Sequence, residues 1–254
     1  MNSARIATLL EPFLENPLAP HALEQVSTYI NLLQRWNSRV NLTAVRSEDE
    51  IVTRHFGESL FLARHVFPDP AMHCQPERSL NPVSLSGAER SAEPIALRSR
   101  RTPTPSPTAS SGLEARGPNL DVIDIGSGAG FPGIPLKIWA PEIELTLIES
   151  NHKKAAFLKE VSRQLTLANI NVITARAERV TGTAEVVTLR AVEQFESILP
   201  IAEKLVAREG RLALLIGSSQ LASLPGSLNW SQPIPIPESH SKVLTIGTPL
   251  SKVE

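Results

Sequence analysis

The sequence lacks the features of a secreted or membrane-spanning protein. Cys74 is its only cysteine, which excludes an internal disulfide and a zinc site built from cysteines. No apolar run approaches the length that spans a bilayer, and the first residues do not show the basic and apolar pattern of a signal peptide. We therefore expect a cytoplasmic protein that makes no membrane contact.

A strong charge of either sign is also missing. The formal net charge is −1, from 25 Lys and Arg against 26 Asp and Glu, and this balance neither favours nor excludes a nucleic-acid partner. The distribution is more informative, because guanidinium groups suit phosphates. Every basic residue of the segment 35–65 is arginine or histidine: Arg35, Arg39, Arg46, Arg54, His55, Arg64 and His65. Acidic residues are interleaved with them, so local ion pairs on a solvated helix explain the pattern equally well.

Composition and periodicity divide the chain into three regions. Residues 1–70 have helical periodicity and predict a small helical cap. Residues 71–117 scatter prolines among serines and arginines without a period, which predicts a disordered insertion. Residues 118–254 alternate apolar strands with helices and predict the main domain.

The cap is predicted to contain two main helices. One covers residues 21–36, where apolar residues recur at intervals of three and four. The other begins at Ser47, which forms a capping-box pattern with Glu50, and it ends before Pro68.

The main domain predicts an α/β fold with a doubly wound, mainly parallel sheet. Strands alternate with helices, and parallel strands need such crossover connections. The predicted strands cover 120–125, 143–148, 170–174, 186–189 and 212–216, followed by an edge strand near 233–237 and a last strand at 242–246. Together these strands predict a seven-stranded sheet. Helices are predicted at 152–167 and 192–206.

The segment from Asp124 to Leu136 has the pattern of a cofactor loop. It follows the first predicted strand, and its sequence is Asp-Ile-Gly-Ser-Gly-Ala-Gly-Phe-Pro-Gly-Ile-Pro-Leu. Gly126, Gly128 and Gly130 allow a tight turn and a close approach of a ligand to the backbone. The free N–H groups at the start of the next helix are suited to holding the polar edge of that ligand.

Two spacings within this segment indicate different cofactors. Residues 128–133 match the dinucleotide pattern GxGxxG, with Glu149 at a suitable distance for a ribose hydroxyl, as in a nucleotide-dependent oxidoreductase. Counting from Asp124 instead gives an acidic residue and three alternating glycines, which resembles the first motif of S-adenosylmethionine (SAM) methyltransferases. A carboxylate in the loop would repel a pyrophosphate, whereas SAM carries two cationic groups and no phosphate, so SAM is favoured. A glycine turn that only joins two elements is the third interpretation.

Ligands of doubly wound sheets bind at the carboxyl ends of the strands, and these ends supply further candidates. Glu149 follows the second strand and is a candidate acceptor for both hydroxyls of a ribose. Ala177 and Glu178 follow the third strand, where Glu178 is a candidate for the adenine edge or for a surface pair with a neighbouring arginine. Arg190 ends an apolar strand and needs a partner, which is either a ligand or a structural ion pair.

Several motifs together resemble the RsmG (GidB) family. They are Trp36-Asn37, Asn41-Leu-Thr-Ala44, His55 with Ser59-Leu60, the whole segment 124–136, and Arg190-Ala191. The resemblance implies a class I SAM methyltransferase with a Rossmann-like fold, which modifies N7 of a guanine, position 527, in 16S ribosomal RNA of the small subunit. It also implies that SAM is bound by Gly126, Phe131, Ala177, Glu178 and Arg190, with Glu149 at the family's acidic position and Asp124 and Gly128 in the loop.

The resemblance leaves several points open. Guanine N7 already presents a lone pair, so its methylation needs alignment rather than a base, and we expect no metal and assign no catalytic residue. The chain departs from the family at Ile216, where lysine is usual, and at Glu58, where aspartate is typical. A non-catalytic SAM-fold factor of ribosome assembly therefore remains an alternative. The oligomeric state is open, with a monomer as the default expectation.

Overall fold

The structure is a computed structural model that describes residues 1–67, 120–190 and 195–250. All of these residues belong to one structural unit, in which N-terminal helices pack against a single sheet. The predicted insertion 71–117 lies outside the described residues. The division into a cap at 1–70, this insertion and a main domain at 118–254 therefore stays a prediction.

Within residues 1–67, three helices and a short 3-10 turn, Glu11–Phe13, precede the sheet. The helices are α1 (Ser3–Leu10), α2 (Pro20–Asn37) and α3, a continuous helix of three segments, Glu48–Glu50, the π-helical Ile51–Gly57 and Glu58–Val66. The two helices predicted for the cap correspond to α2 and α3. Within the described ranges, no helix is long and apolar enough to cross a membrane.

The start of α3 differs from the prediction in one detail. Ser47 is the N-cap residue, as expected, but its side chain makes no capping hydrogen bond. Glu50 does not reach back to complete a capping box and instead lies 3.9 Å from the guanidinium of Arg54, one turn further along the helix. The sequence pattern thus locates the helix start correctly and the side-chain contacts wrongly.

The remaining elements form an eight-stranded sheet and its covering helices within the described part of the chain. The strands are β1 (Asp121–Ile125), β2 (Glu144–Ile148), β3 (Ile170–Ile173), β4 (Ala184–Arg190), β5 (Val206–Gly217), β6 (Leu228–Trp230), β7 (Ile234–Pro235) and β8 (Lys242–Pro249). The helices are α4 (Gly133–Trp139), α5 (His152–Gln164) and α6 (Phe195–Lys204), and Ala177–Arg179 forms a 3-10 turn.

The strand order is β3-β2-β1-β4-β5-β8-β6, with β7 paired to β8 beside this path. Strands β1 to β5 are parallel, whereas β8 is antiparallel to β5, β6 and β7. The expected doubly wound and mainly parallel sheet is confirmed, with seven strands along the continuous path. The sequence pattern missed β6, and the strand predicted at 233–237 shrinks to the two residues of β7, because prolines cannot donate to a ladder.

The two faces of the sheet build two apolar clusters. Val122 of β1 faces the cluster that contains the cap helices, α4 and α5. Ile123 and Ile125 of the same strand face the other cluster, which includes α6. Successive side chains of a strand point to opposite faces. The cap is therefore packed into the same core as the helices that flank the glycine segment.

Candidate active site

The glycine-rich loop, residues 126–133, crosses the carboxyl edge of the sheet between β1 and α4. Gly126, Gly128 and Gly130 have φ angles of 67°, 57° and 92°, in the left-handed region that favours glycine. A Cβ added to Gly130 would lie 2.3 Å from the hydroxyl oxygen of Tyr29. A Cβ added to Gly128 would meet nothing closer than the carbonyl oxygen of Gly126, at 3.7 Å. The loop is therefore packed tightly at Gly130 and open at Gly128.

Asp124 ties this loop to the neighbouring strand. Its carboxylate is fully buried, accepts a hydrogen bond from the Thr188 hydroxyl at 2.9 Å, and accepts another from the Gly133 N–H at 3.2 Å. Burial raises the pKa of Asp124 to about 6, although these hydrogen bonds act in the opposite direction. The side chain thus lies beneath the loop and shapes it, and it is not exposed to a ligand.

Glu149 contacts the loop directly. It follows β2, is 7% exposed, and accepts hydrogen bonds from the Gly128 N–H at 2.9 Å and the Asn151 N–H at 2.7 Å. Each carboxylate oxygen has capacity for a further donor. The structure therefore brings together two residues that the sequence analysis selected separately, at the open position of the loop.

Ala177 and Glu178 form the next part of the edge. They lie in the 3-10 turn after β3, where Ala177 packs in the apolar cluster that includes Ile125 and Ile148, the last residues of β1 and β2. Glu178 is exposed. The turn thus borders the same carboxyl edge as Glu149.

Phe131 is enclosed by aromatic rings from the cap. Its ring stacks on Tyr29 at 5.3 Å between centroids and on His55 at 4.8 Å, and it meets Phe56 edge-on at 5.1 Å. The Tyr29 hydroxyl donates a hydrogen bond to the carbonyl oxygen of Ala129, inside the loop. Burial, with a smaller contribution from Asp124, raises the pKa of Tyr29 well above its ordinary value, so the hydroxyl remains a donor.

Arg190, at the end of β4, is held by the cap. Its guanidinium donates hydrogen bonds to the Arg54 carbonyl oxygen at 2.5 Å and to the Glu58 carboxylate at 2.9 Å, and its carbon lies 6.0 Å from the centre of the Phe131 ring. The ammonium of Lys242 binds the same carboxylate at 2.8 Å. We call Glu58, Arg190 and Lys242 the charge cluster.

His55 lies beside the charge cluster as a neutral ring. Its Nδ1 is 3.3 Å from Arg190 Nη2, and its Nε2 is 2.8 Å from the Thr43 hydroxyl. Arginine is only a donor, so Nδ1 must accept and Nε2 must carry the proton. Burial and the charge of Arg190 lower the pKa of His55 to about 3, with smaller contributions from Lys242 and Arg54. Both ring nitrogens are therefore occupied by protein groups.

Sequence reasoning missed three residues that shape this site. Tyr29 and Glu58 had signals in the sequence, since Tyr29 lies three residues after the predicted apolar position Val26 and Glu58 stands out as a departure from the aspartate typical of the RsmG (GidB) family. Lys242 had none, because it is 184 residues away from the carboxylate that it contacts. Its place is set by the sheet, where Lys242 pairs with Gly217 at the end of β5.

A family model described as rRNA small subunit methyltransferase G, or GidB, matches residues 22–71 and 109–227. These ranges exceed half of the chain and contain all eight predicted site residues together with Tyr29 and Glu58. The chain belongs to this family. Lys242 lies outside the matched ranges.

Two of the proteins similar to this chain carry the name Ribosomal RNA small subunit methyltransferase G. The protein of Roseiflexus castenholzii (strain DSM 13941 / HLO8) is 34% identical over 240 residues, which cover 88% of this chain and 82% of that protein. The protein of Xanthomonas campestris pv. campestris (strain B100) is 31% identical over 235 residues, with 89% and 87% covered. The similarity therefore extends over most of both chains.

Family membership decides between the interpretations of the glycine segment. The GidB family consists of SAM-dependent rRNA methyltransferases, and this chain has the corresponding class I fold. The protein is accordingly a methyltransferase and not a nucleotide-dependent oxidoreductase. The family match also supports an enzyme rather than a non-catalytic assembly factor.

Proposed function

We propose that this GidB family member transfers the methyl group of SAM to N7 of a guanine in 16S ribosomal RNA, at position 527. The observation that carries the proposal is the contact between Glu149 and Gly128 at the open point of the loop, in a chain of this family. We further propose that the protein acts in the cytoplasm and as a monomer.

The residues at the edge of the sheet fit SAM. The position next to Gly128 is open, and the buried carboxylate of Glu149 lies at the same point with unused acceptor capacity. The proposed contacts are Gly126 and Gly128 in the loop, the backbone of Phe131, the carboxylate of Glu149, Ala177 and Glu178 beside the adenine, and Arg190. Asp124 contributes indirectly, by holding the loop. When bound, SAM supplies a methyl group activated by a sulfonium.

The side chains of the site are suited to alignment rather than to proton transfer. Guanine N7 offers a lone pair, so the enzyme must mainly orient the two reactants, and orientation is able to supply about 7–11 kcal/mol of the barrier. His55 stacks on Phe131 of the loop, and neither of its nitrogens is free to act as a base. We therefore assign Arg190 to binding and leave proton abstraction out of the mechanism.

The cap provides an entry for RNA. Arg35, Arg39 and Arg46 are exposed near the end of α2 and in the turn before α3. Guanidinium groups bind phosphates through paired hydrogen bonds. Binding of the RNA should therefore weaken as salt concentration rises. By contrast, His55 is half-buried, stacks on Phe131 and has both ring nitrogens bound by protein groups, so we do not assign it to RNA binding.

Mapping of the methyl mark tests the proposed substrate. We expect 16S RNA from a strain that lacks the gene to miss the N7-methyl mark at position 527, and we expect the purified protein with SAM to restore it on small subunits from that strain. Mass spectrometry of RNA fragments reads out both. Retention of the mark in the deletion strain, or methylation at another atom, would contradict the assignment.

A pair of variants tests the cofactor site. Glu149→Ala removes the carboxylate at the loop, and we expect binding of S-adenosylhomocysteine, measured by calorimetry, to weaken by about 10- to 150-fold, which corresponds to about 1.5–3 kcal/mol. The matched control is Glu144→Ala, at the opposite end of β2 and exposed. Equal affinities of the two variants would remove Glu149 from the site.

A further inference from the structure

Glu58 connects the cap to strands β4 and β8 of the sheet at the edge of the site. It is 3% exposed, and its two carboxylate oxygens lie 2.8 and 3.0 Å from the Lys242 ammonium. One of these oxygens also accepts the hydrogen bond from Arg190 at 2.9 Å. Glu58 begins the last segment of α3, Arg190 ends β4 and Lys242 begins β8. A single carboxylate thus fixes three elements relative to one another.

Stability alone does not explain why these charges are buried. The Arg190 and Glu58 side chains are only 9% and 4% exposed. The cost of removing two ions from water often equals or exceeds their mutual attraction, so apolar residues of similar volume would be about as stable. What the ions provide is a defined orientation, because a planar guanidinium bound by several acceptors is not free to rotate.

The cap supplies all the acceptors that hold Arg190 within the described part of the chain. They are the Arg54 carbonyl oxygen, the His55 Nδ1 and the Glu58 carboxylate, all within five residues of α3. This stretch includes the end of the π-helical segment Ile51–Gly57, and π-helical turns are frequent at functional sites. The buried Nε of Arg190 has no acceptor among the described residues, so one donor of the guanidinium is not used by the cap.

Lys242 is the second cation that holds this carboxylate. It is 31% exposed and pairs with Gly217 across β5 and β8, so its backbone is fixed by the sheet. Glu58 is therefore bound by two cations from different strands. It does not depend on Arg190 alone for its position.

We propose that Glu58, fixed by Lys242, is a positioning residue that orients Arg190 toward the cofactor. The inference rests on the proposed function, in which Arg190 contacts SAM at the loop. Glu58 acts through Arg190 and does not itself touch the reacting groups. Removing its charge should therefore affect cofactor binding only while Arg190 is present.

A double-mutant cycle tests this dependence, with S-adenosylhomocysteine as the probe and calorimetry as the measurement. The variants are Glu58→Gln, Arg190→Gln and the two combined, each checked for folding by thermal unfolding. We expect Glu58→Gln to weaken binding by about tenfold or more, and we expect it to add little in the Arg190→Gln background. The same loss in both backgrounds, or wild-type affinity in folded Glu58→Gln, would overturn the positioning role.

Further variants complete the experiment. Glu58→Asp keeps the charge and carries the residue typical of the family at this position, so its affinity should stay closer to the wild type than that of Glu58→Gln. If Glu58→Gln does not fold, Lys242→Gln replaces it in the cycle because it removes the cation that fixes Glu58, and wild-type affinity of folded Lys242→Gln would then overturn the inference. Glu160→Gln is the control, because it breaks an exposed ion pair with Arg163 on α5, and its affinity should not change.

The outcomes separate this inference from the proposed function. A wild-type protein that does not bind the probe would overturn both. Binding by the wild type with no effect of the Glu58 variants would overturn only the positioning role. Binding that follows the predicted cycle, in a protein that methylates no ribosomal RNA, would support the positioning role and overturn the proposed reaction.

Discussion

The glycine-rich loop and the charge cluster both border the site, yet different interactions hold them. Close packing and a hydrogen bond from the Tyr29 hydroxyl to Ala129 fix the loop. The charge cluster is fixed by ions on three separate elements, with Glu58 between two cations. The loop should therefore be sensitive to added volume, whereas the cluster should be sensitive to lost charge.

This difference also separates local from tertiary structure. The backbone turns of the loop are encoded by one short segment, since its glycines and the helix start lie within residues 126–133, and the cap adds the Tyr29 contact. The charge cluster forms only when the cap, β4 and β8 are all in place, because its members are 132 and 184 residues apart. Binding of a cofactor that contacts both regions therefore requires both the local conformation of the loop and the tertiary contacts of the charge cluster.

The largest effect should come from adding volume where the loop is closed. Gly130→Ala places a Cβ 2.3 Å from the Tyr29 hydroxyl in a residue with φ of 92°. The left-handed conformation costs about 1–2 kcal/mol and overpacking about 1–3 kcal/mol, so we expect the free energy of unfolding to fall by about 4 kcal/mol. Urea unfolding measures this loss, and binding of S-adenosylhomocysteine should disappear with it.

Gly128→Ala is the matched control for this substitution. Its φ of 57° is also left-handed and carries a conformational cost of the same kind, but the nearest atom to the added Cβ is 3.7 Å away. We expect a loss of only about 1 kcal/mol. Equal losses for the two variants would show that conformation, and not close packing against the cap, limits the loop.

The next effect concerns the buried side chain of Asp124 beneath the loop. Burial raises the pKa of Asp124 from 3.8 to about 6, so the folded state holds the proton more tightly than the unfolded state. The associated stability is fully present below about pH 4 and is lost as pH rises through about 6. Two pKa units correspond to about 3 kcal/mol.

Asp124→Asn isolates this contribution because it cannot ionise. We expect the difference in unfolding free energy, wild type minus variant, to decrease by about 3 kcal/mol between pH 4 and pH 7. Urea unfolding at several pH values gives the measurement. A difference that stays constant would mean that folding does not shift the pKa of Asp124, and one that grows with pH would mean that the fold stabilises its anion; either would contradict the prediction.

The part of the site that the glycine-rich loop forms could be predicted from the sequence. The positions of β1, the glycine turn and the helix after it follow from apolar periodicity and from glycine and proline preferences, which act over a few residues. Strand ends then selected Glu149, and the contact with Gly128 follows because β1 and β2 are parallel neighbours. These inferences need only local patterns and one rule about parallel sheets.

The charge cluster could not be predicted in the same way. Arg190 was selected as needing a partner, but nothing in the sequence identifies Glu58 as that partner at a separation of 132 residues. Lys242 joins the cluster only through the antiparallel pairing of β5 and β8. Likewise, the family resemblance places Phe131 at the cofactor, but no local pattern predicts the stacking of its ring on Tyr29, which depends on how the cap packs against the loop.

A smaller effect should follow from removing the hydroxyl that links the cap to the loop. Tyr29→Phe keeps the stacked ring but leaves the Ala129 carbonyl oxygen without this donor. We expect the free energy of unfolding to fall by about 1 kcal/mol, with a loss of a few-fold in affinity for S-adenosylhomocysteine. The control is Tyr29→Leu, which also removes the ring and should cost more. Equal losses would assign the whole effect to the hydroxyl and none to the stacking.

The smallest expected effect is the pH response of the His55 ring. It tests whether the cations of the charge cluster are held in fixed positions beside this ring. Arg190 contacts Nδ1 of the ring, and Thr43 contacts Nε2. The other charged groups near the ring are Arg54, Lys242 and Glu58. Burial and the Arg190 charge lower the pKa of His55 to about 3, so its ring should remain neutral from pH 5 to pH 8. NMR of the histidine ring protons should show one signal, assigned by its loss in His55→Gln, that does not move over this range. A signal that shifts near pH 6.5 would mean that the cations are not held against the ring, and the fixed orientation of Arg190 would lose its support.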